Sequence, residues 1–237
     1  MRGPRARRGF TLVELLVALF AMALLAIMSW RGLDGMTRAQ AATEARADQV
    51  LTLQVGLQQW ATDLDAIIQF PQTAALDWNG RVLRMTRRGT GATATNGVMV
   101  VAWGRRVVNG TGTWLRWQSG EVTTRDQLQE AWQQANIWSQ NPGPQELQGE
   151  VAVTPLDEWQ VFYFRGGAWT NPMSSDAVAV KPVTAPFAVG GSPAAPPVVV
   201  SNLPDGVRLI LTLPPGQAIA GMLTRDWARP TLSGPKS

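Results

Sequence analysis

Arg8-Gly9-Phe10-Thr11-Leu12-Val13-Glu14-Leu15-Leu16-Val17-Ala18-Leu19 opens the stretch whose reading decides the fold, and the apolar run it starts continues to Trp30. Between residues 10 and 30 Glu14 is the only charged side chain. As a helix at ~1.5 Å per residue, those 21 residues are ~31 Å long, which matches the hydrocarbon thickness of a bilayer. Arg2, Arg5, Arg7 and Arg8 lie just before the run. The positive-inside tendency therefore puts that end in the cytoplasm and everything after Trp30 in the periplasm.

An apolar run near an N-terminus is ordinarily a secretory signal peptide or a plain signal anchor. A signal peptide has a core of about 7 to 15 apolar residues and then a small-x-small cleavage site. This run is longer and leads into Ile27, Met28, Ser29, Trp30 and Arg31, where no such site exists. A plain anchor has no reason to carry a carboxylate inside its apolar segment, because an ionised group is costly in lipid. Glu14 calls for a partner.

The twelve residues 8–19 resemble, without departure, the processing motif of type IV prepilins and type II secretion pseudopilins. The resemblance implies that a prepilin peptidase cuts between Gly9 and Phe10 on the cytoplasmic face, that the new Phe10 amine is methylated, and that the helix stays in the membrane. Glycine at position 9 suits close approach by a protease, since it has no side chain to hinder the scissile backbone. Glu14 lies about one turn from the Phe10 amine, and the family's carboxylate at this place is understood to pair with the N-terminal ammonium of a neighbouring subunit. Such a pair offsets the desolvation of both charges during assembly.

Composition narrows the functions further. The formal charge of +4 resides in the leader: removing residues 1–9 leaves 17 Lys and Arg against 17 Asp and Glu. A neutral chain gives little warrant for nucleic-acid binding, which needs clustered cations to displace counterions. With no cysteine and no histidine, disulfides, thiolate nucleophiles, Cys/His zinc sites and histidine bases are excluded.

After Pro4 the next proline is Pro71, so nothing forces a break in a helix from residue 10 to 70. If continuous, residues 11–68 would span ~87 Å. Val50, Leu53, Leu57, Trp60, Leu64 and Ile67 form an apolar seam at alternating spacings of three and four. Asp48, Gln54, Gln58, Gln59, Asp63 and Asp65 fall off it and are expected to meet water or neighbours. Gly32, Gly35 and Gly56 each weaken a helix by roughly 0.8 to 1 kcal/mol relative to alanine and are candidate bends. Past residue 71 the period becomes that of strands: 81–87, 97–103, 113–118, 150–154, 159–164, 198–201 and 207–213. Asn109-Gly110 reads as the tight turn of a hairpin. Residues 124–138 read as a helix capped by Thr124, with Asp126 in its first turn. Residues 181–197 hold five prolines and two glycines and read as a loop. The domain reading is a cleaved leader over 1–9, a membrane helix over 10–30, its periplasmic continuation over 31–70, and a β-rich head over 71–237.

Several further segments resemble J-type minor pseudopilins of the type II secretion system: Arg31-Gly32-Leu33-Asp34, residues 53–65 with their Asp-Leu-Asp, Leu76-Asp77-Trp78-Asn79-Gly80-Arg81, Leu115-Arg116-Trp117-Gln118-Ser119, and Leu203-Pro204-Asp205-Gly206-Val207-Arg208-Leu209. That resemblance implies an α+β fold, a long N-terminal helix packed on an antiparallel sheet. It implies a non-catalytic, cofactor-free subunit in the inner membrane. I-type and K-type minor pseudopilins, the major pseudopilin and secreted exoproteins are the implied partners, at the tip of a periplasmic pseudopilus. Small residues Ala18, Ala21, Ala23 and Ala26 suit close helix packing in lipid. A minor pilin of a surface type IV pilus, serving adhesion or DNA uptake, is the alternative; a membrane-tethered enzyme is the remote one.

Other motifs carry less. Gly89-Thr90-Gly91-Ala92-Thr93-Ala94 satisfies a phosphate-loop pattern but leads into a β-type run, so no helix N-terminus is available to a phosphate. Asp63 with Asp65, Asp157 with Glu158, and Asp176 read as solvated or turn residues rather than calcium ligands or an acid/base pair. Eleven tryptophans read as core. Trp114 and Trp117 should face opposite sides of their strand, and the alternative to core packing leaves one of them accessible for contacts.

Overall fold

The computed structural model of the chain describes residues 10–70, 73–89, 97–173 and 203–230. A single helix α1 covers Leu12–Asp65, passing through Gly32, Gly35 and Gly56 without interruption. Three isolated glycine penalties do not break a helix of 54 residues whose other positions are mostly good helix formers. The chain divides into two units, Met1–Asp48 and Gln49–Ser237, and the division falls inside α1. Within the first unit every described residue is exposed. Among the described residues α1 is the one helix long and apolar enough to cross a membrane.

The second unit is the β-rich head. A five-stranded antiparallel sheet runs in the order β1 (Leu76–Trp78), β2 (Val82–Arg88), β3 (Val98–Val108), β4 (Thr111–Gln118), β5 (Glu150–Pro155). Between β4 and β5 come helices α2 (Arg125–Gln140) and α3 (Pro144–Leu147). A second antiparallel sheet is ordered β7 (Ala168–Thr170), β6 (Glu158–Arg165), β8 (Gly206–Leu213), β9 (Gly221–Ala228). The α+β arrangement expected from the sequence, a long N-terminal helix with an antiparallel head, is the one found; the head has two sheets.

Alternation explains the layers. Trp103 and Trp114 project from one face of the first sheet, where they share a core with Leu53, Trp60 and Leu64 of α1 and with Val161, Leu209 and Leu211 of the second sheet. Val100, Ala102, Leu115 and Trp117 project from the opposite face, where α2 covers them with Leu128, Ala131, Ala135 and Trp138. Trp114 and Trp117 do face opposite sides, but neither is accessible, being 0% and 3% exposed. The core reading holds for both: the face that the alternative left open is occupied by α2, whose indole Trp138 stacks on Trp117 with centroids 6.3 Å apart.

The turn at Asn109-Gly110 joins β3 to β4 as expected, with φ of 50° and 81° at its two central residues. Both lie in the left-handed region that Asn and Gly tolerate best. Helix α1 stops at Asp65, five residues short of the expected end. Beyond it the backbone joins the first sheet: Ile68 N–H donates to the Thr86 carbonyl, Arg88 N–H donates to the Ala66 carbonyl, and Ile67 bridges Arg87. The β-branched pair Ile67-Ile68 favours this extended pairing over another helical turn. The strand expected at 198–201 and the loop at 181–197 lie outside the described residues.

Candidate processing and assembly site

The start of α1 is built by Thr11 and Glu14. Glu14 N–H donates to Thr11 Oγ1 at 3.3 Å, while Thr11 N–H and the Thr11 hydroxyl donate to Glu14 Oε2 at 3.3 and 3.2 Å. This is a reciprocal capping box, in which two otherwise unpaired backbone donors at the helix N-terminus are satisfied by side chains. It also sets a carboxylate at the positive end of the helix dipole. Glu14 calls for a partner, which the family resemblance puts on another subunit; the fold supplies one within the chain as well, through the Thr-x-x-Glu spacing of residues 11–14. A carboxylate offers about four acceptor positions, and both capping bonds use Oε2, so engagement of a further cation is compatible with the box. Phe10 is 85% exposed. Gly9 and the rest of the leader lie outside the described residues, as do residues 90–94 of the phosphate-loop look-alike and Asp176.

At the other end of α1 the structure corrects the sequence. Asp63, expected to meet water, is fully buried at 0% exposure. Its Oδ1 accepts from Gln59 Nε2 at 2.9 Å, from Arg116 Nη2 at 3.0 Å and from Arg87 Nη1. Its Oδ2 accepts from Arg116 Nε at 2.8 Å and from Trp103 Nε1 at 3.0 Å. Strands β2, β3 and β4 each contribute a donor to this one carboxylate. Asp65 remains exposed, yet its Oδ1 accepts from Trp227 Nε1 of β9 at 2.7 Å. Asp63-Leu64-Asp65 therefore grips the first sheet with its first residue, the core with its second and the second sheet with its third. The available signals were that Asp63 follows Trp60 by three and Gly56 by seven, on the flank of the seam, and that Arg116 alternates inward with Trp114.

Among the described residues, no group of three His, Cys, Asp or Glu gathers in a way that could hold a metal ion. Glu158 is spent on Gln160, whose Nε2 donates to it at 3.1 Å. On the exposed side of the second sheet Arg208 makes a two-pronged pair with Asp226, at 2.7 Å for each prong, and lies 4.3 Å over the Trp169 ring. Hydrogen bonding from Arg208 holds the Asp226 carboxyl below its usual range, against a smaller opposing effect of burial.

Comparison with known proteins bears on the N-terminus. A chain in "The Crystal Structure of the GspK-GspI-GspJ complex from enterotoxigenic Escherichia coli Type 2 Secretion System" is similar at 16% identity and a TM-score of 0.43, over 79% of this chain and 99% of that one. No curated protein matches. Residues 4–30 match the family model for the prokaryotic N-terminal methylation motif. That matched stretch takes in Gly9-Phe10, Glu14 and the apolar run together.

Proposed function

We propose that this chain is a J-type minor pseudopilin of a type II secretion system, a non-catalytic subunit that helps initiate and cap the pseudopilus. One observation carries the reading: the motif of residues 8–19 opens a 21-residue apolar stretch in which Glu14 is the only charge. Its match to the methylation motif and the Thr11–Glu14 capping box support it. Gly9 is the cleavage position, Phe10 the methylated residue, and Glu14 the group that meets a neighbouring subunit's amine. The capping box favours that role, because it fixes the Glu14 carboxylate within the first turn, beside the chain start that cleavage creates.

In this reading residues 1–9 are the cytoplasmic leader, 10–30 cross the inner membrane, 31–70 continue the helix in the periplasm, and 71–237 form the periplasmic head. I-type and K-type minor pseudopilins are the tip partners, the major pseudopilin follows below, and a prepilin peptidase is the processing enzyme. The test is terminal mass spectrometry on full-length protein extracted from inner membranes, with co-purification of I-type and K-type partners. We expect a mature chain that begins at a methylated Phe10 and retains both partners. In the Glu14→Ala variant the same cut should occur while partner recovery and secretion fall severalfold. A start other than Phe10 rejects the processing assignment, and a correctly processed chain that recovers neither partner rejects the tip role.

A further inference from the structure

The helix seam on its own does not say where α1 should sit. Val50, Leu53, Leu57, Trp60 and Leu64 repeat at one-turn intervals along α1, so a slip of one turn, about 5.4 Å, again presents apolar side chains to the core. The carboxylate at position 63 does not repeat. One turn before it stands Gln59, one turn beyond it the helix has already ended, and the neighbouring Asp65 is already held by Trp227 Nε1.

We infer that Asp63 is a register key: the buried carboxylate selects, among near-equivalent apolar seatings, the one in which α1 docks on the first sheet. Three features of its surroundings fit selection rather than bulk stabilisation. Asp63 is fully buried while its partners Arg87 and Arg116 are 4% and 11% exposed at their side chains. Two guanidinium groups on one carboxylate leave the cluster with a surplus positive charge, which is an inefficient way to gain stability in a core. Any other seating strips both cations and the Trp103 N–H of their acceptor, and an uncompensated buried charge disfavours that seating by a hundredfold or more. A second, steric selector works beside it. A Cβ on Gly56 would lie 3.6 Å from Val153 Cβ and collide with Val153 Cγ1, so any larger residue against β5 at this point forces Val153 to shift. That this docking bears load between bilayer and secreted cargo rests on the pseudopilin reading; the choice of register does not.

The chain has no cysteine, so engineered pairs report register directly. A Gly56→Cys/Val153→Cys pair has a Cβ separation within the disulfide range of about 3.5 to 4.5 Å, and it also removes the steric selector. Thr52→Cys/Val153→Cys reports a one-turn slip. Both pairs are placed in full-length protein in detergent micelles, in the parent, in Asp63→Asn, and in Asp63→Leu/Arg87→Met/Arg116→Met. The parent should oxidise at the 56–153 pair alone. In both variants far-UV circular dichroism should be retained while the 56–153 yield falls severalfold and the 52–153 pair becomes reactive. Native-only crosslinking at parental yield in the apolar variant overturns the inference. Loss of fold in both variants overturns it as well, since the cluster would then hold the head together rather than select its seating. N-terminal processing at Phe10, read on the same samples, separates failure of the pseudopilin reading from failure of the key.

Discussion

Tyr163 is the chain's sole tyrosine, 3% exposed, and its hydroxyl has no hydrogen-bond partner among the described residues. Burial pushes its phenol well above the usual range, the nearby Asp77 charge adds to the effect, and Arg165 opposes it. Its raised folded value means that the native state favours the neutral form. The associated stability is whole below the unfolded phenol's pKa of about 10 and is lost as pH rises beyond it, because only the unfolded chain then ionises. An alkaline ultraviolet titration reads this single group without ambiguity. Phenolate absorbance should appear only together with unfolding, and a Tyr163→Phe variant, which removes the unpaired hydroxyl, should unfold at higher pH. A phenolate signal with an ordinary midpoint in protein that keeps its near-UV circular dichroism would show that Tyr163 is not sealed in the core.

Among the elements, α2 is the one whose origin is most completely local. Thr124 accepts from Gln127 N–H at 3.3 Å, and Gln127 Oε1 accepts from Thr124 N–H at 3.3 Å, so the box that starts the helix closes on itself. At its far end Trp138 Nε1 donates to Glu150 Oε2 at 2.6 Å, and Arg106 Nη2 pairs with the same oxygen at 2.5 Å. Replacing Thr124 by alanine should cost about 1 kcal/mol, and serine or asparagine should restore most of it. Denaturant unfolding should show a lower midpoint at unchanged slope, whereas a changed slope would mean that α2 detaches before the head unfolds. The cap, the Asn109-Gly110 turn and the alternation in β3, β4 and β8 were all legible in the sequence because each is dictated by neighbours along the chain. Strands β1, β7 and β9 were not. The first two have only three residues each, too few for a period, and β9 buries only Trp227 of its eight residues, so its sequence shows no apolar alternation. Its strand character comes from pairing with all eight residues of β8. At the N-terminus residues 8–19 were legible as a linear motif, and the family-model match covers them. The buried state of Asp63 was not, because its four partners lie 4, 24, 40 and 53 residues away and all but Gln59 are beyond local reach.

For the head as a whole, the consequence of one core shared by α1 and two sheets is cooperativity. Trp60 is 0% exposed and belongs to the same cluster as Trp103 of the first sheet and Leu209 of the second. Among the described residues neither sheet has another large body of apolar side chains on that side, and the first sheet's second cluster, under α2, contains no residue of the second sheet. If the last four turns of α1 are what joins the sheets, weakening that joint should lower the stability of both together. Trp60→Ala should cost about 3 to 5 kcal/mol, a large part of the 5 to 15 kcal/mol typical of a domain. Methyl resonances of Val101 and Leu209, one in each sheet, should then lose native dispersion at the same denaturant concentration in parent and variant alike. Two separate midpoints, with Leu209 melting while Val101 persists, would mean that the second sheet folds on its own terms and that α1 is seated on the first sheet alone. Coincident midpoints shifted by the full expected amount would make the final turns of the helix part of the head's folding unit, which is the condition under which a force on the helix is borne by the whole head and not by a single strand.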